Sequence, residues 1–231
     1  MTTTVTVSQF WHALWLSLVV SGLATIIGAC LGVPLGTLLA EYSFPGKRAL
    51  LTVVHAFMGL PPVVVGLFTF LIIARSGPLG GFGLIYTASA MVIVQVILAA
   101  PIITGLTHAA LKDIDPRLGL QARSLGATGV QSTMVKIREA RAGLVAAVIA
   151  GFGRVIAEVG AVTIVGGAIN GRTDTLTTLT VKLTRQGYTS LALAVGVVLI
   201  ALALLVNVFL TRLQTDRAQR EEHKRVTGYV A

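Results

Sequence analysis

Five long apolar runs, separated by polar stretches, constrain this chain more than any other feature. A helix needs about 20 mostly apolar residues to cross the hydrocarbon core of a bilayer. Backbone groups inside lipid must be paired within the segment, which favours helices over isolated strands. The sequence therefore predicts an all-α membrane protein with five transmembrane helices, at about 12–40, 49–74, 84–111, 143–168 and 190–211.

Composition supports a chain dissolved in lipid. Only 12% of the residues are charged and 55% are hydrophobic, whereas a soluble domain carries about 25% charged residues. No Lys or Arg precedes the first apolar run, so the basic region of a cleaved signal peptide is missing and we expect that run to be a retained helix. Residues 1–231 are predicted to form a single transmembrane domain.

The basic residues predict the orientation, because cytoplasmic loops are enriched in Lys and Arg. With the N-terminus outside and the C-terminus in the cytoplasm, thirteen basic residues fall in the inner loops and the tail, and four fall in the outer loops. The loop at about 112–142 and the tail at 212–231 are then cytoplasmic. The net charge of +9 is thus a topology feature, and we expect no nucleic-acid partner. The four outer basic residues are Arg75, Arg172, Lys182 and Arg185.

Small residues recur every four positions in two of the runs, which lets helices approach closely in a membrane. We interpret both rows as ordinary helix packing. They are Gly28, Gly32 and Gly36 in the first run, and Gly153, Ala157 and Ala161 in the fourth.

Residue patterns for catalysis are missing from the sequence. It contains no G-x-x-x-x-G-K-[ST] phosphate loop, its four histidines lie far apart without metal-ligand spacing, and no Ser/His/Asp set stands out. We therefore expect no catalytic residue, no metal site and no cofactor in this chain, and we predict that it is not an enzyme.

Arg154 and Glu158 lie four residues apart inside the fourth run, a spacing that places both side chains on one face of a helix. Ionisable residues at membrane depth are costly, so they usually face each other or a polar pathway. Two interpretations remain open: the pair lines or gates a route for a polar solute, or it only fixes helix packing.

Pro61 and Pro62 lie in the middle of the second run, where proline interrupts the helical hydrogen bonds. Carbonyl groups freed at membrane depth are tolerated where they are buried in protein or line a cavity. The two prolines therefore predict either a constriction in a pathway or a plain kink.

The cytoplasmic stretch at 112–142 contains a predicted short helix. Asp115 can cap a helix whose first residue is Pro116, and Gly126 is placed to end it. Leu118, Ala122 and Leu125 would then share one face. This amphipathic helix is expected either to dock into a groove on a partner or to lie on the membrane surface.

The same stretch resembles the EAA loop of bacterial ABC importer permeases, the cytoplasmic helix that docks on the ATPase subunit. The pattern there is Glu-Ala-Ala, three residues, Gly, and later Ile-x-Leu-Pro. Gly126 matches the glycine and Ala122 the second alanine, while Leu120 and Gln121 stand at the Glu and first Ala. Ile137 fits with an offset of one residue, and "REAR" replaces the Leu-Pro.

Two longer stretches extend the resemblance. "GLPPVVVGLFTFLIIARSGPLG" resembles the second-helix region of molybdate and tungstate permeases, and "IREARAGLVAAVIAGFGRVIAEVGAVTIVGG" resembles the tungstate-type permease in particular. The resemblance covers about residues 10–210. It implies a multi-pass permease subunit in a bacterial or archaeal cell membrane that imports tungstate.

The resemblance also implies the partners. We expect a second copy of this chain, a dimer of ABC ATPase subunits that holds ATP and magnesium, an extracytoplasmic substrate-binding protein and membrane lipid. The ATPase-docking residues would be those of the coupling helix, and the pathway or gate would be formed by the pairs in the second and fourth runs. The docking set is Pro116, Leu118, Gln121, Ala122, Leu125 and Gly126.

Molybdate and sulfate are the alternative substrates, because molybdate and tungstate have nearly the same size and charge. A secondary transporter or channel without an ATPase is a further alternative. It often shows inverted repeats, which we do not find here, and it needs no docking helix.

Overall fold

The described structure consists of helices joined by turns and irregular segments. The computed structural model describes residues 6–228, which form ten α-helices and one 3-10 helix at Gly80–Phe82. The α-helices are α1 (Val7–Glu41), α2 (Lys47–Met58), α3 (Pro62–Ile73), α4 (Ala88–Lys112), α5 (Pro116–Ser124), α6 (Gly129–Glu139), α7 (Arg141–Ile156), α8 (Gly160–Gly166), α9 (Leu176–Arg185) and α10 (Thr189–Gly228).

Three helices are long and apolar enough to cross a membrane, or five if each of two bent helix pairs is one span. The three are α1, α4 and the Thr189–Val208 part of α10. The all-helical prediction is therefore confirmed, and the number of spans lies between three and five. The predicted orientation stays a prediction.

The second and fourth apolar runs are broken helices. The second run divides into α2 and α3, with a bend of 103°, because α2 ends at Met58, just before Gly59, and Pro62 begins a new helix. The fourth run divides into α7 and α8, with a bend of 61°. The prediction of one continuous helix over 143–168 is therefore wrong.

A seam of glycines joins α1 to α4. A Cβ built at Gly36 would lie 2.6 Å from the carbonyl oxygen of Thr104, and one at Gly32 would lie 3.0 Å from that of Ala100. Only hydrogen fits at these positions, so the two backbones approach closely. The predicted packing row in the first run is confirmed.

The predicted row in the fourth run does not form one ridge. Gly153 faces open space, Ala157 lies in the break after α7, and Ala161 lies on α8 against Gly66 of α3. The bend of the chain separates residues that a straight helix would have aligned.

The cytoplasmic stretch contains two helices, of which the sequence predicted one. Asp115 Oδ1 accepts a hydrogen bond from the Arg117 backbone N–H at 2.8 Å, and α5 begins at Pro116 as expected. Gly126 follows the helix with a φ of +89°, and the Ala127 N–H donates to the Ala122 carbonyl at 3.0 Å. This is the left-handed helix end that favours glycine. The second helix, α6, was not predicted.

Helix α9 was also not predicted, since residues 169–189 were assigned to an outer loop. It begins with a capping box between Thr175 and Thr178. Its apolar face packs against α1 and α10 in a core cluster that holds Ala13, Leu176, Leu179, Leu183, Ala192 and Val195.

Helix α10 continues past the predicted span end at residue 211 and into the predicted tail. Residues 229–231 of that tail, like residues 1–5 of the chain, lie outside the described residues. In its first twenty residues α10 is largely unburied, so its apolar side chains face outward as a lipid-facing surface requires. They include Leu193, Val197, Ile200, Leu204 and Leu205.

Candidate functional site

The break between α7 and α8 holds the predicted ion pair. Arg154 Nη1 lies 2.9 Å from Glu158 Oε2. The Glu158 side chain is 5% exposed and that of Arg154 is 34% exposed. The pair was predicted on one continuous helix face, which is wrong, because α7 ends at Ile156 and Glu158 lies in the break. The contact forms across the bend.

Glu158 also starts the next helix. Its second carboxylate oxygen, Oε1, accepts a hydrogen bond from the Ala161 backbone N–H at 3.0 Å. The first N–H groups of a helix have no partner within the helix, and a carboxylate at that end is stabilising. The buried Glu158 carboxylate therefore compensates the positive charge of Arg154 and stabilises the first turn of α8.

Two side chains from other helices satisfy carbonyl groups at the break. Gln95 Nε2 of α4 donates to the Val155 carbonyl at 3.1 Å, and Thr177 Oγ1 of α9 donates to the Glu158 carbonyl at 3.0 Å. Buried carbonyls without partners are costly, so these bonds stabilise the bent form. Sequence reasoning missed both residues, although an amide inside an apolar run, as at Gln95, was a usable signal.

The two broken spans lie against each other. A Cβ built at Gly66 of α3 would lie 2.6 Å from Ala161 Cα of α8, and one at Gly160 would lie 2.6 Å from Val63 Cγ2. Pro61 directly precedes α3, and its carbonyl accepts hydrogen bonds from Val64 and Val65. The structure thus brings the Pro61–Pro62 break next to the break that contains Glu158.

A cavity of about 610 Å³ lies between the two breaks and α9. Its walls include Val63, Gly160 and Thr163, and one side carries Lys182 of α9. Lys182 Nζ lies 3.5 Å from Asp174 Oδ2 and also contacts Asn170 Oδ1. Burial raises the pKa of the Asp174 carboxyl above its usual 3.8, while Lys182 acts in the opposite direction. The cavity volume of about 610 Å³ is in the range of small-ligand sites.

The three residues predicted to share the docking face differ in exposure. Leu125 is 89% exposed, whereas Leu118 and Ala122 are half-buried. Leu120, which was not assigned to that face, is 64% exposed. Pro116, Gln121 and Gly126 are exposed. Helix α6 covers the inner side of α5, since Ser132 Oγ donates to the Gly119 carbonyl at 3.0 Å.

Helices α5 and α6 are tied to the first span. Lys136 Nζ of α6 lies 2.8 Å from Glu41 Oε2 at the end of α1.

The predicted docking residues and the predicted pathway residues lie in two separate parts of the structure. Gln95, which touches the break, precedes the last residue of α4, Lys112, by about 25 Å along the helix axis. Among the side chains that the structure describes, no group of three or more His, Cys, Asp or Glu could hold a metal ion.

Comparison with known families gives one match over most of the chain. Residues 32–219 match the family described as "Binding-protein-dependent transport system inner membrane component".

Two relatives are similar over most of their length. The "Probable anion ABC transporter permease protein" of Haloferax volcanii is 40% identical over 196 residues, which are 83% of this chain and 84% of the relative. The "Tungstate uptake system permease protein" of Peptoclostridium acidaminophilum is 37% identical over 208 residues, which are 90% of this chain and 91% of the relative.

A solved structure shares the fold. A chain of the inward-facing MetNI methionine ABC transporter superposes with a TM-score of 0.71 at 23% identity. The match covers 87% of this chain and 92% of that one. At this identity the likeness concerns the fold alone.

Proposed function

The chain belongs to the family of binding-protein-dependent transport system inner-membrane components, and we propose from this premise that it imports tungstate as the permease subunit of an ABC transporter. The 37% identity to a tungstate uptake permease, over 90% of this chain, is the observation that carries the substrate. Molybdate and then sulfate are the alternatives, because all three are tetrahedral dianions.

The permease itself does not hydrolyse ATP in this proposal. Energy enters through a separate pair of ATPase subunits that dock on α5 and α6. Support comes from the exposed apolar side chains of Leu120 on α5 and Leu125 just after it. Exposed apolar groups beside charged ones are typical of a protein interface. An extracytoplasmic binding protein would deliver the oxyanion at the opposite end.

Two copies of the chain would enclose the pathway. Five spans per copy, with α2–α3 and α7–α8 counted as broken spans, leave a large lipid-facing or partner-facing apolar surface. The N-terminus would be outside and the C-terminus in the cytoplasm, as the distribution of basic residues predicts.

Arg154 and Glu158 form the gate in this proposal. A dianion cannot cross hydrocarbon without compensating charge. Arg154 offsets that charge during passage, while Glu158 keeps the empty pathway neutral. Their position at the junction of α7 and α8 supports this role, because a change of the bend at this junction would leave both helices intact. Pro61 and Pro62 form the matching junction of the second span.

Cellular metal content tests the substrate. Cells with and without this gene would receive equal trace amounts of tungstate and molybdate, and both elements would be measured by mass spectrometry. We expect tungsten to fall while molybdenum stays constant in the cells without the gene. A parallel fall in molybdenum would make the chain a general oxyanion permease, and unchanged levels of both in cells without another importer would overturn the assignment.

A further inference from the structure

Two arginines line one cavity at the end of the molecule opposite the coupling helices. The cavity measures about 420 Å³ and contains Arg75, which follows α3, and Arg172, which follows α8. Tyr86 forms part of its wall and lies just before Thr87, the N-cap of α4. Helix α4 ends at Lys112, next to α5, so the length of this helix separates the cavity from the docking site.

Both arginine side chains are exposed, whereas three partly buried cations of the chain each pair with a carboxylate. Lys136 pairs with Glu41, Arg154 with Glu158, and Lys182 with Asp174. No carboxylate among the described side chains forms an ion pair with Arg75 or Arg172, and the cavity wall contains no Asp or Glu. Two like charges that share a cavity repel each other, and an anion between them removes the repulsion.

The wall of this cavity is held in an unusual backbone conformation. Tyr86 has a φ of +61° and Ala168, beside the cavity residue Ile169, has a φ of +46°; they are the non-glycine residues with positive φ in the described part of the chain. The Tyr86 N–H donates to the Val165 carbonyl at 2.9 Å, and its ring packs against Phe70. Strained residues of this kind persist where their surroundings fix them, and they cluster at ligand sites.

We propose that Arg75 and Arg172 form an oxyanion-binding site at the outer mouth of the pathway, where a tetrahedral dianion is held after it leaves the binding protein. The inference rests on the proposed import function. Guanidinium groups donate paired hydrogen bonds to oxyanions, and the cavity size suits a small ligand. Most Lys and Arg residues are predicted on the cytoplasmic side, whereas Arg75 and Arg172 are predicted on the outer side. A direct role in anion capture requires that outer position.

Direct binding is the first test. The unfolding midpoint of the purified permease–ATPase complex would be measured in sodium tungstate and in sodium chloride of equal ionic strength, without binding protein. A ligand that binds the folded state raises this midpoint. We expect tungstate to raise it for the wild type and much less for Arg75→Gln and Arg172→Gln. Equal midpoints in both salts for the wild type, or an equal rise in the variants, would overturn the proposal.

Transport kinetics distinguish this site from a docking surface. Proteoliposomes that contain the complex would import tungstate from increasing amounts of loaded binding protein. Loss of one guanidinium contact should lower the maximal rate about tenfold, with the KM for the binding protein unchanged. A higher KM at an unchanged maximal rate would instead assign both arginines to an acidic surface of the binding protein, and would overturn the proposal.

The control is Arg48→Gln, which removes the same charge at the beginning of α2, close to the end of α1 that carries Glu41. We expect wild-type rates in that variant. If the wild-type complex imports no oxyanion, the proposed function itself fails. If the wild type imports tungstate and both arginine variants match it, only the outer site fails.

Discussion

Glu41 and Lys136 form an ion pair of 2.8 Å between residues that are 95 positions apart in the chain. The pair joins the end of α1 to α6, and both side chains are mostly buried, with 14% and 19% exposed. Because α6 packs on the docking helix α5, this contact is a direct mechanical link between the proposed ATPase site and the membrane.

Breaking this link should uncouple ATP hydrolysis from transport. We expect Lys136→Gln to lower tungstate import several-fold while the complex still assembles, because the docking surface on α5 is untouched. Import and ATP hydrolysis would be measured in the same proteoliposomes. The double variant Glu41→Lys with Lys136→Glu should restore part of the import, and a charge swap without any restoration would contradict the link.

Loss of the Arg154 side chain should stop transport without causing the subunits of the complex to dissociate. Arg154→Leu leaves the Glu158 carboxylate buried with only the Ala161 N–H as partner, at a cost to stability of about 1–3 kcal/mol. Tungstate import and size-exclusion profiles would be compared with those of Arg154→Lys, which keeps the charge. Full import by Arg154→Leu would end the role of Arg154 as the charge that offsets the anion.

The proposed docking role of α5 can be tested at Leu125, which is more exposed than Leu120. Leu125→Asp should abolish co-purification of the ATPase subunit while the permease keeps its unfolding temperature, since this side chain touches little of its own chain. Asp113→Asn is the matched control in the same stretch, and we expect it to bind the ATPase normally. Retained ATPase binding by Leu125→Asp would contradict docking through this face.

Gly126 tests the shape of the same helix end. Its φ of +89° is accessible to Asn at moderate cost but is strained for a β-branched residue. We expect Gly126→Val and Gly126→Arg to weaken ATPase binding and Gly126→Asn to preserve most of it. Nothing lies within 4 Å of a Cβ at this position, so equal binding by all variants would argue against a role for the helix end.

Asp174 should make stability depend on pH. Burial raises the pKa of this carboxyl in the folded protein, so its ionised form costs stability at neutral pH. The cost disappears as the pH falls through the raised pKa towards 3.8. We expect Asp174→Asn to be more stable than the wild type at pH 7, with a difference that shrinks on acidification. Unfolding midpoints between pH 7 and pH 4 would show this, and a constant difference would contradict it.

The sequence predicted the elements whose cause is local. Asp115 and Pro116 start a helix, Gly126 ends one, and each long apolar run is helical, because neighbouring residues determine these features. The bends of 103° and 61° could not be predicted in size. Their angles depend on partners far along the chain, such as Gln95 for the carbonyl of Val155.

The same reason explains the missed helices. The apolar residues of α9 recur with helical spacing at Leu176, Leu179 and Leu183, but the segment is too short to span a membrane and was assigned to a loop. Its burial depends on Ala13 of α1, which is distant in sequence. In the candidate site, the sequence pointed to Arg154 and Glu158 because charged side chains are energetically costly at membrane depth. It could not predict that the Glu158 carboxylate also accepts a hydrogen bond from the first turn of α8.

The glycine seam between α1 and α4 has a consequence for motion. At Gly36 the two backbones are separated by so little space that sliding or rotation of one helix on the other would produce immediate overlap. Interiors packed in this way respond as rigid bodies and deform little. The α1–α4 pair is therefore expected to move as one rigid unit, and in the proposed transport cycle we expect the change of shape in the short segments at 59–61 and 157–159.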